Sequence, residues 1–359
     1  MGLVSASEKL CIGIIGFGSM AGYHFDQLKD HPKLYFKGVY DLDPRRQEEA
    51  KRLNMHPYPT LDALLQDIQI DMVLIATTND AHKPLTIAAL EAGKHVLCEK
   101  PVALSSDDLM EMILASERTG KCFSINQNRR TNRDFVLVKE TIAKGLLGKV
   151  YRIESRVEGS RGMPKGWRTL KSLGGGMLYD WGVHLIDQIL HMQDSAVTQV
   201  YCQLLNLEYP EVDDNFHLQL TFETGLVAQI EVATNNYIPH PRWYALGDRG
   251  TMQVDNWDCE GKVVRVLDPD QVWDHDIVYT KAGPTKTMAP RRPESIEEIS
   301  LHAPEDVVDH LSVVYENFFS AIRGSSPLHI TPKQALRVLR VMENAFLSAK
   351  TQQVVHCEL

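Results

Sequence analysis

The stretch LCIGIIGFGSMAG, residues 10–22, carries the reading on which the rest depends. Its first six residues form an apolar run closed by glycine, as expected of a short strand buried on both faces. Gly16-Phe17-Gly18-Ser19-Met20-Ala21 then opens a helix, matching a GxGxx(G/A) turn in the strand-to-helix setting that gives that pattern meaning. Gly16 permits the tight turn, Gly18 removes a side chain that would block a diphosphate, and Ala21 allows close helix–strand packing. The helix start offers unpaired N–H groups and a positive dipole end to that diphosphate. Glycine-rich turns also occur as plain connections, so a second signal is needed. Asp41 supplies it, 23 residues past Gly18 at the end of the next strand. A carboxylate there can bond both ribose hydroxyls of NAD and repel the extra phosphate of NADP. Arg45 and Arg46 keep NADP open as the lesser alternative, because either can reach a 2′-phosphate.

Outward from this unit, strands at 34–40, 71–78, 95–101 and 121–126 alternate with helices ending near Leu53 and at 60–67, 85–93 and 106–119. Such alternation specifies a parallel, doubly wound α/β sheet, a Rossmann domain over residues 1–126. From 127 to 359 the rhythm changes. YRIESRVEGS, VTQVYCQLLNLE, FHLQLTFE and LVAQIEVATNN read as long strands with partial period-two alternation. An α+β domain is expected here, with a large, mainly antiparallel open sheet covered by helices on one face. Its other face is the expected interface of a homodimer or homotetramer. Residues 280–305 are rich in proline and charge and read as a loop, and helices at about 306–322 and 332–350 close the chain, with room to pack back on the first domain.

Composition narrows the partners. The 359 residues carry a formal charge of −9, and their one dense basic cluster is Arg129, Arg130 and Arg133. Nucleic-acid binding is disfavoured, since it needs a basic stripe. The six cysteines are scattered and never spaced as CxxC, so neither a metal nor a disulfide framework is expected, and a reducing cytoplasm fits best. The amino-terminal residues lack the basic and apolar regions of a secretory signal, Ala6 stands where a myristoylation signal needs Ser, and no apolar run is long enough to span a bilayer.

Two further motifs bear a family resemblance. Residues 71–101 end in Glu99-Lys100-Pro101 after AGKHV, and residues 174–187 read GGGMLYDWGVHLID. With the GLLGKV turn at 145–150 and the closing helix ITPKQALRVLRVMENAFLSA, the chain resembles the glucose–fructose oxidoreductase/inositol dehydrogenase (Gfo/Idh/MocA) family along nearly its whole length. The QNRR…ESR…WR stretch, 127–168, is similar to members acting on inositols and related sugars. The resemblance implies a nicotinamide-dependent oxidoreductase with Lys100, Asp180 and His184 as the catalytic trio. It also places Thr77, Asn79 and His82 beside the cofactor.

Chemistry of the residues supports that trio. Lys100 ends a parallel strand on the edge where doubly wound sheets bind ligands, and its ammonium can favour an anionic oxygen. Asp180 and His184 are spaced i, i+4, so on a helix they share a face, where the carboxylate can orient a histidine able to accept a proton. The plainer alternative makes Asp180, His184, Asp187 and His191 the wet side of an amphipathic helix. A metal at Asp180 and His184 fits the spacing but lacks a visible third ligand. Glu99 is a candidate for the nicotinamide ribose. Arg129, Arg156, Trp167 and Arg168 are candidates for a sugar pocket, since guanidinium and indole groups suit hydroxyls and sugar faces. Thr77, Asn79 and Asp80 equally suit a turn and helix cap.

The expected activity is hydride transfer between NAD and a secondary alcohol or ketone of a sugar, inositol or polyol. Two alternatives stand: a glycosidase or lyase that recycles tightly bound NAD, and a non-catalytic sensor of dinucleotide or sugar.

Overall fold

The computed structural model describes residues 9–272, 277–286, 288–307 and 311–359. The amino-terminal signal readings on residues 1–8, Thr287 in the 280–305 segment and residues 308–310 in the 306–322 helix lie outside the described residues.

The first sheet is parallel and six-stranded: β1 (Leu10–Ile15), β2 (Leu34–Tyr40), β3 (His56–Pro57), β4 (Met72–Ile75), β5 (His95–Cys98) and β6 (Phe123–Ile125). Its order is β3-β2-β1-β4-β5-β6, the doubly wound order, and the direction of winding reverses between β1 and β4. Ile12, Ile14, Val73, Leu74, Val96 and Leu97 are fully buried, which explains why these strands read as continuous apolar runs. Its helices are α1 (Ser19–Leu28), α2 (Pro44–Arg52), α3 (Leu61–Leu65), α4 (His82–Glu91) and α5 (Ser106–Thr119). Two-residue β3 has no apolar run to betray it; it forms because Gly38 of β2 lets His56 approach its backbone.

After α6 (Arg133–Ala143) the chain builds a nine-stranded sheet and two-stranded hairpin. The strands are β7 (Val150–Glu158), β8 (Val197–Leu205), β9 (Asn215–Phe222), β10 (Val227–Ala233), β11 (Trp243–Gly247), β12 (Gly250–Val254), β13 (Gly261–Val266), the hairpin pair β14 (Val278–Thr280) and β15 (Gly283–Thr285), β16 (Ile296–Leu301) and β17 (Val355–His356). The large sheet runs β16-β13-β12-β11-β7-β10-β9-β8-β17 and is antiparallel apart from the β7–β10 pair. Helices α7 (Val183–Met192), α8 (Ser312–Ile322) and α9 (Pro332–Thr351) complete the chain.

The 280–305 segment is not simply a loop. Its charges belong to edge strand β16, whose Glu297 and Glu298 accept bonds from Arg265 (2.6 Å) and Lys262 (2.9 Å) on β13. Charged residues on an edge strand give cross-strand pairs and discourage pairing with foreign strands, so composition alone mimics a loop.

Helix α9 starts at a full capping box, Thr331 with Gln334. It packs on β8 and α7 of one sheet and on α5 and β6 of the other. Ser106 at the start of α5 donates through its N–H and hydroxyl to Glu343 of α9, at 2.6 and 2.8 Å. The carboxyl end of the parallel sheet is thereby held against the helix-covered face of the open sheet.

Candidate active site

At the winding reversal, Gly16 has φ +85°, and a Cβ there would press on Thr77 Cγ2 and the Ala76 carbonyl. Glycine is the residue this turn accepts. A Cβ on Gly18 would meet nothing within 4 Å, so this position faces open space. Helix α1 begins beyond it with no side-chain cap and no acidic residue in its first turn. Ser19 and Met20 form that first turn. An uncapped helix start behind an open glycine fits a diphosphate, whose oxygens would satisfy the N–H groups. Asp41 closes the cradle: its carboxylate accepts from Phe17 N–H (2.6 Å) and Asp43 N–H (2.8 Å), tying the end of β2 to the glycine turn. Arg45 is exposed and bound to the Asp43 carboxylate at 2.7 Å, while Arg46 pairs with Glu49.

The other residues assigned to the cofactor side divide differently. Thr77 lines the glycine turn. Asn79 is buried and donates to the Gly174 carbonyl at 3.0 Å. His82 is fully buried, its ring nitrogens 2.8 Å from the Pro101 carbonyl and 3.3 Å from that of Thr77; burial pushes its pKa down. Both therefore brace the loops that carry the site. Glu99 is also turned inward. Its carboxylate lies 2.8 Å from His24 Nε2 and accepts from Asn126 Nδ2 at 2.7 Å, while His24 Nδ1 meets the Tyr315 hydroxyl at 2.7 Å. Burial opposes ionisation of Glu99, but the His24 and Asn126 bonds and the Lys100 charge hold its pKa below the usual range. A side chain so enclosed reaches no ribose.

Lys100 and Asp180 meet across the two sheets. Lys100 Nζ donates to the Asp180 carboxylate at 3.0 Å and to its backbone carbonyl at 2.9 Å. Arg168 Nε donates to the other carboxylate oxygen at 2.7 Å. Burial alone would raise the Asp180 pKa; the Lys100 charge and the Arg168 bond bring it below the ordinary value. An ammonium has three donors, so one N–H of Lys100 remains for a ligand oxygen.

Asp180 does not orient His184. It sits in a π-helical turn, Leu178–Gly182, which precedes α7, so the simple i, i+4 geometry does not apply. His184 Nδ1 instead lies 3.0 Å from Gln127 Oε1. The ring is buried, and its pKa falls well below 6.5 through desolvation, then the charges of Lys100 and Arg129. It is neutral at pH 7 and able to accept a proton. The wet-face alternative for this helix does not hold: Asp180, His184 and Asp187 are 6%, 4% and 2% exposed. Asp187 takes a bidentate bond from Arg130 at 2.6 and 2.7 Å. The stripe is polar because it is buried against polar partners, Lys100, Gln127 and Arg130.

Beside His184, Trp181 makes an edge contact at 6.1 Å and a tilted contact with Trp257 at 5.9 Å, while Arg129 lies over the Trp181 ring at 4.1 Å. Trp167 stacks with Arg168 at 4.5 Å. Arg156 is elsewhere. It pairs with Glu154 and Glu231 on one face of β7 and β10, whereas its neighbour Ser155 faces Arg242 on the other. Strand alternation puts it on the side away from the helices, so it is no candidate for this pocket. Gln127, Trp257 and His24 were not among the expected site residues; only Gln127, first residue of the QNRR stretch, lay within a motif read from the sequence.

The glycine run fits this geometry tightly. Gly176 has φ +107°, and a Cβ there would collide with the Asp213 carboxylate, which accepts from Leu178 N–H at 2.7 Å. Burial pushes the Asp213 pKa up to about 6, although backbone N–H groups oppose the shift. The folded chain therefore binds this proton more tightly than the unfolded one. Its stabilising effect is complete below the unfolded value of 3.8 and is lost as pH rises through about 6. Asp213→Asn keeps an acceptor for Leu178 and is expected to stabilise the protein at pH 8 by up to about 3 kcal/mol. Thermal melts should show that gain shrinking towards pH 4; a gain independent of pH contradicts the assignment.

A groove of about 1160 Å³ lies at the opposite end of the parallel strands, beside Leu10, Asp71, Lys94 and His95. The Lys94 ammonium there is already bonded to the carbonyls of Asp67 and Ile70, and the groove is remote from Lys100 and His184. Among the described residues no group of three His, Cys, Asp or Glu is placed to hold a metal ion, and no helix is long and apolar enough to cross a membrane.

Residues 10–127 match the family described as "Oxidoreductase family, NAD-binding Rossmann fold", and residues 135–253 match the "GFO/IDH/MocA C-terminal domain". The chain belongs to the Gfo/Idh/MocA family. An NAD-binding protein from Listeria innocua is 39% identical in sequence, with a TM-score of 0.93 over 98% of this chain and 100% of that one. The scyllo-inositol 2-dehydrogenase (NADP(+)) IolW of Bacillus subtilis (strain 168) is 25% identical over 98% of this chain and 97% of its own. The 2,7-anhydro-N-acetylneuraminate hydratase of Escherichia coli (strain K12) is 26% identical over 70% of this Gfo/Idh/MocA chain and 69% of its own. The protein is thus an oxidoreductase-family member with an NAD-binding Rossmann domain.

Proposed function

We propose that the chain is an NAD-dependent dehydrogenase acting on a secondary alcohol, or the matching ketone, of a sugar, inositol or related polyol. The observation that carries this reading is the placement of Lys100, held by Asp180, beside a buried neutral His184, near an open and uncapped glycine cradle. A dinucleotide held at that cradle by its diphosphate would supply, through its nicotinamide, the hydride acceptor or donor. Lys100 directs its remaining N–H at the reacting oxygen and stabilises its negative charge. His184 takes the hydroxyl proton at Nε2 in oxidation. Asp180, fixed by Arg168, aims the lysine. Trp181, with Arg129 over its face, offers a wall for a sugar ring, and Trp257 extends it.

The Asp41 carboxylate and the diversion of Arg45 onto Asp43 favour NAD over NADP. Initial rates on inositols, aldoses and glycosides, followed at the reduced-nicotinamide band with each cofactor, test both points. Net NADH from a free polyol, faster with NAD than NADP, is expected. The hydratase relative keeps a second reading in view, a lyase or glycosidase that recycles its NAD. Substrate cleavage or hydration with no net NADH would favour it. Tight NAD binding with no turnover on any substrate would leave a sensor.

The six cysteines, Cys98, Cys202 and Cys259 among them buried, form no disulfide among the described residues, which suits a reducing cytoplasm. The helix-free face of the large sheet, with Arg152, Glu154, Arg156, Gln229 and Glu231, is proposed to meet a second copy. Light scattering at micromolar concentration should then give a dimer or tetramer mass; a mass near 40.6 kDa would remove that proposal.

A further inference from the structure

The groups around His184 differ from the arrangement expected of a general base backed by a carboxylate. Lys100 approaches from the end of β5 and Arg129 from the segment after β6, and both oppose a positive charge on the ring. Asp180, four residues earlier, has its carboxylate engaged by Lys100 and Arg168. Asp187, three residues later, is engaged by Arg130. The atom that meets Nδ1 is the amide oxygen of Gln127, and its amide nitrogen points to the Val183 carbonyl at 3.5 Å. That second contact, at the long limit of a hydrogen bond, agrees with this orientation of the amide. An amide oxygen accepts but cannot donate, so the ring nitrogen opposite must carry hydrogen.

We propose that Gln127 is a positioning residue: it fixes His184 as the Nδ1–H tautomer, leaves Nε2 as the acceptor that faces substrate, and by being neutral keeps the ring uncharged when substrate is absent. This rests on the reading of His184 as proton acceptor, but its geometric part stands apart from turnover. Neutral histidine is the competent form, so activity is expected to hold as pH falls to well under 6.5 and to fail only when the ring protonates. A carboxylate at position 127 reverses the electrostatics, since an opposite charge at this distance raises a histidine pKa by about one to three units.

The experiment uses the full chain saturated with NAD and labelled with 15N-histidine. His184 signals are assigned by their loss in His184→Asn. In the wild type, the 15N shifts are expected to show hydrogen on Nδ1 at pH 7; hydrogen on Nε2 overturns the proposal without any change at position 127. In Gln127→Glu, the His184 titration and the acid limb of kcat are expected to rise together by a unit or more. Gln127→Leu, which cannot accept a bond, is expected to lower kcat about tenfold with little change in the KM for NAD. Folding of each variant is checked by its melting temperature. A folded Gln127→Glu protein whose His184 titration stays within 0.3 unit (about the resolution of such a titration) of wild type overturns the proposal. If the NMR titration moves while the acid limb of kcat does not, the tautomer assignment stands and His184 as proton acceptor falls.

Discussion

His184→Ala is expected to lower kcat by ~10²–10⁴-fold, the usual worth of a placed general base. The mutation deletes the proton acceptor and leaves Lys100, Asp180 and the glycine cradle in place. It also strands Gln127 Oε1 in a buried setting, which costs about 1–3 kcal/mol and should show as a lower melting temperature. Activity is therefore measured well below the variant's melt, with NAD affinity recorded in parallel. Unchanged NAD affinity with collapsed kcat is the expected pair. A kcat within a few-fold of wild type ends the assignment of His184.

Lys100→Met is expected to lower kcat by about 10²–10³-fold, as removal of one oxyanion-stabilising donor usually does. Methionine keeps the length and apolar stem of the side chain but offers no donor. The buried Asp180 carboxylate would retain Arg168, so the loss of one partner should destabilise the fold less than the ~3–5 kcal/mol typical of a fully broken buried pair. The double variant Lys100→Met/Asp180→Asn separates the two effects. Its melting temperature should recover towards wild type, because no carboxylate is left buried without Lys100 and the part-exposed Arg168 guanidinium keeps an amide oxygen as acceptor, while turnover stays low. Recovery of turnover with stability would mean that Lys100 serves only to hold Asp180.

Much of this architecture was legible because parallel strands advertise themselves. Apolar runs such as 10–15 and 72–75 admit little besides a doubly covered strand, and Gly16, Gly18 and Asp41 occupy the places that backbone geometry demands. The trio of Lys100, Asp180 and His184 could be gathered from motifs, but not its wiring. Spacing of four residues suggested an Asp180–His184 bond; the π-helical turn and the pull of two cations put Asp180 on Lys100 instead. Residues 100, 127 and 257 reach the cleft from separate elements, a long-range closure that local pattern cannot foretell. Nor does a glutamate say whether it faces a ligand: Glu99 looked like a ligand contact and turned out to be the buried partner of His24. Arg156 failed for the opposite reason, because alternate residues of a strand look in opposite directions and nothing local names the inner one.

Helix α9 has a bearing on how the protein is made. It follows every other helix of the described residues in the chain, and it is sandwiched against α5 and β6 on one side and α7 and β8 on the other. A growing chain on the ribosome can thus assemble its nucleotide-binding half early, yet the cleft lacks its backing until residues 332–351 emerge. Until then the apolar flanks of both halves stand uncovered, and a stop within residues 332–351 would damage the candidate site although its chemical groups had all been translated.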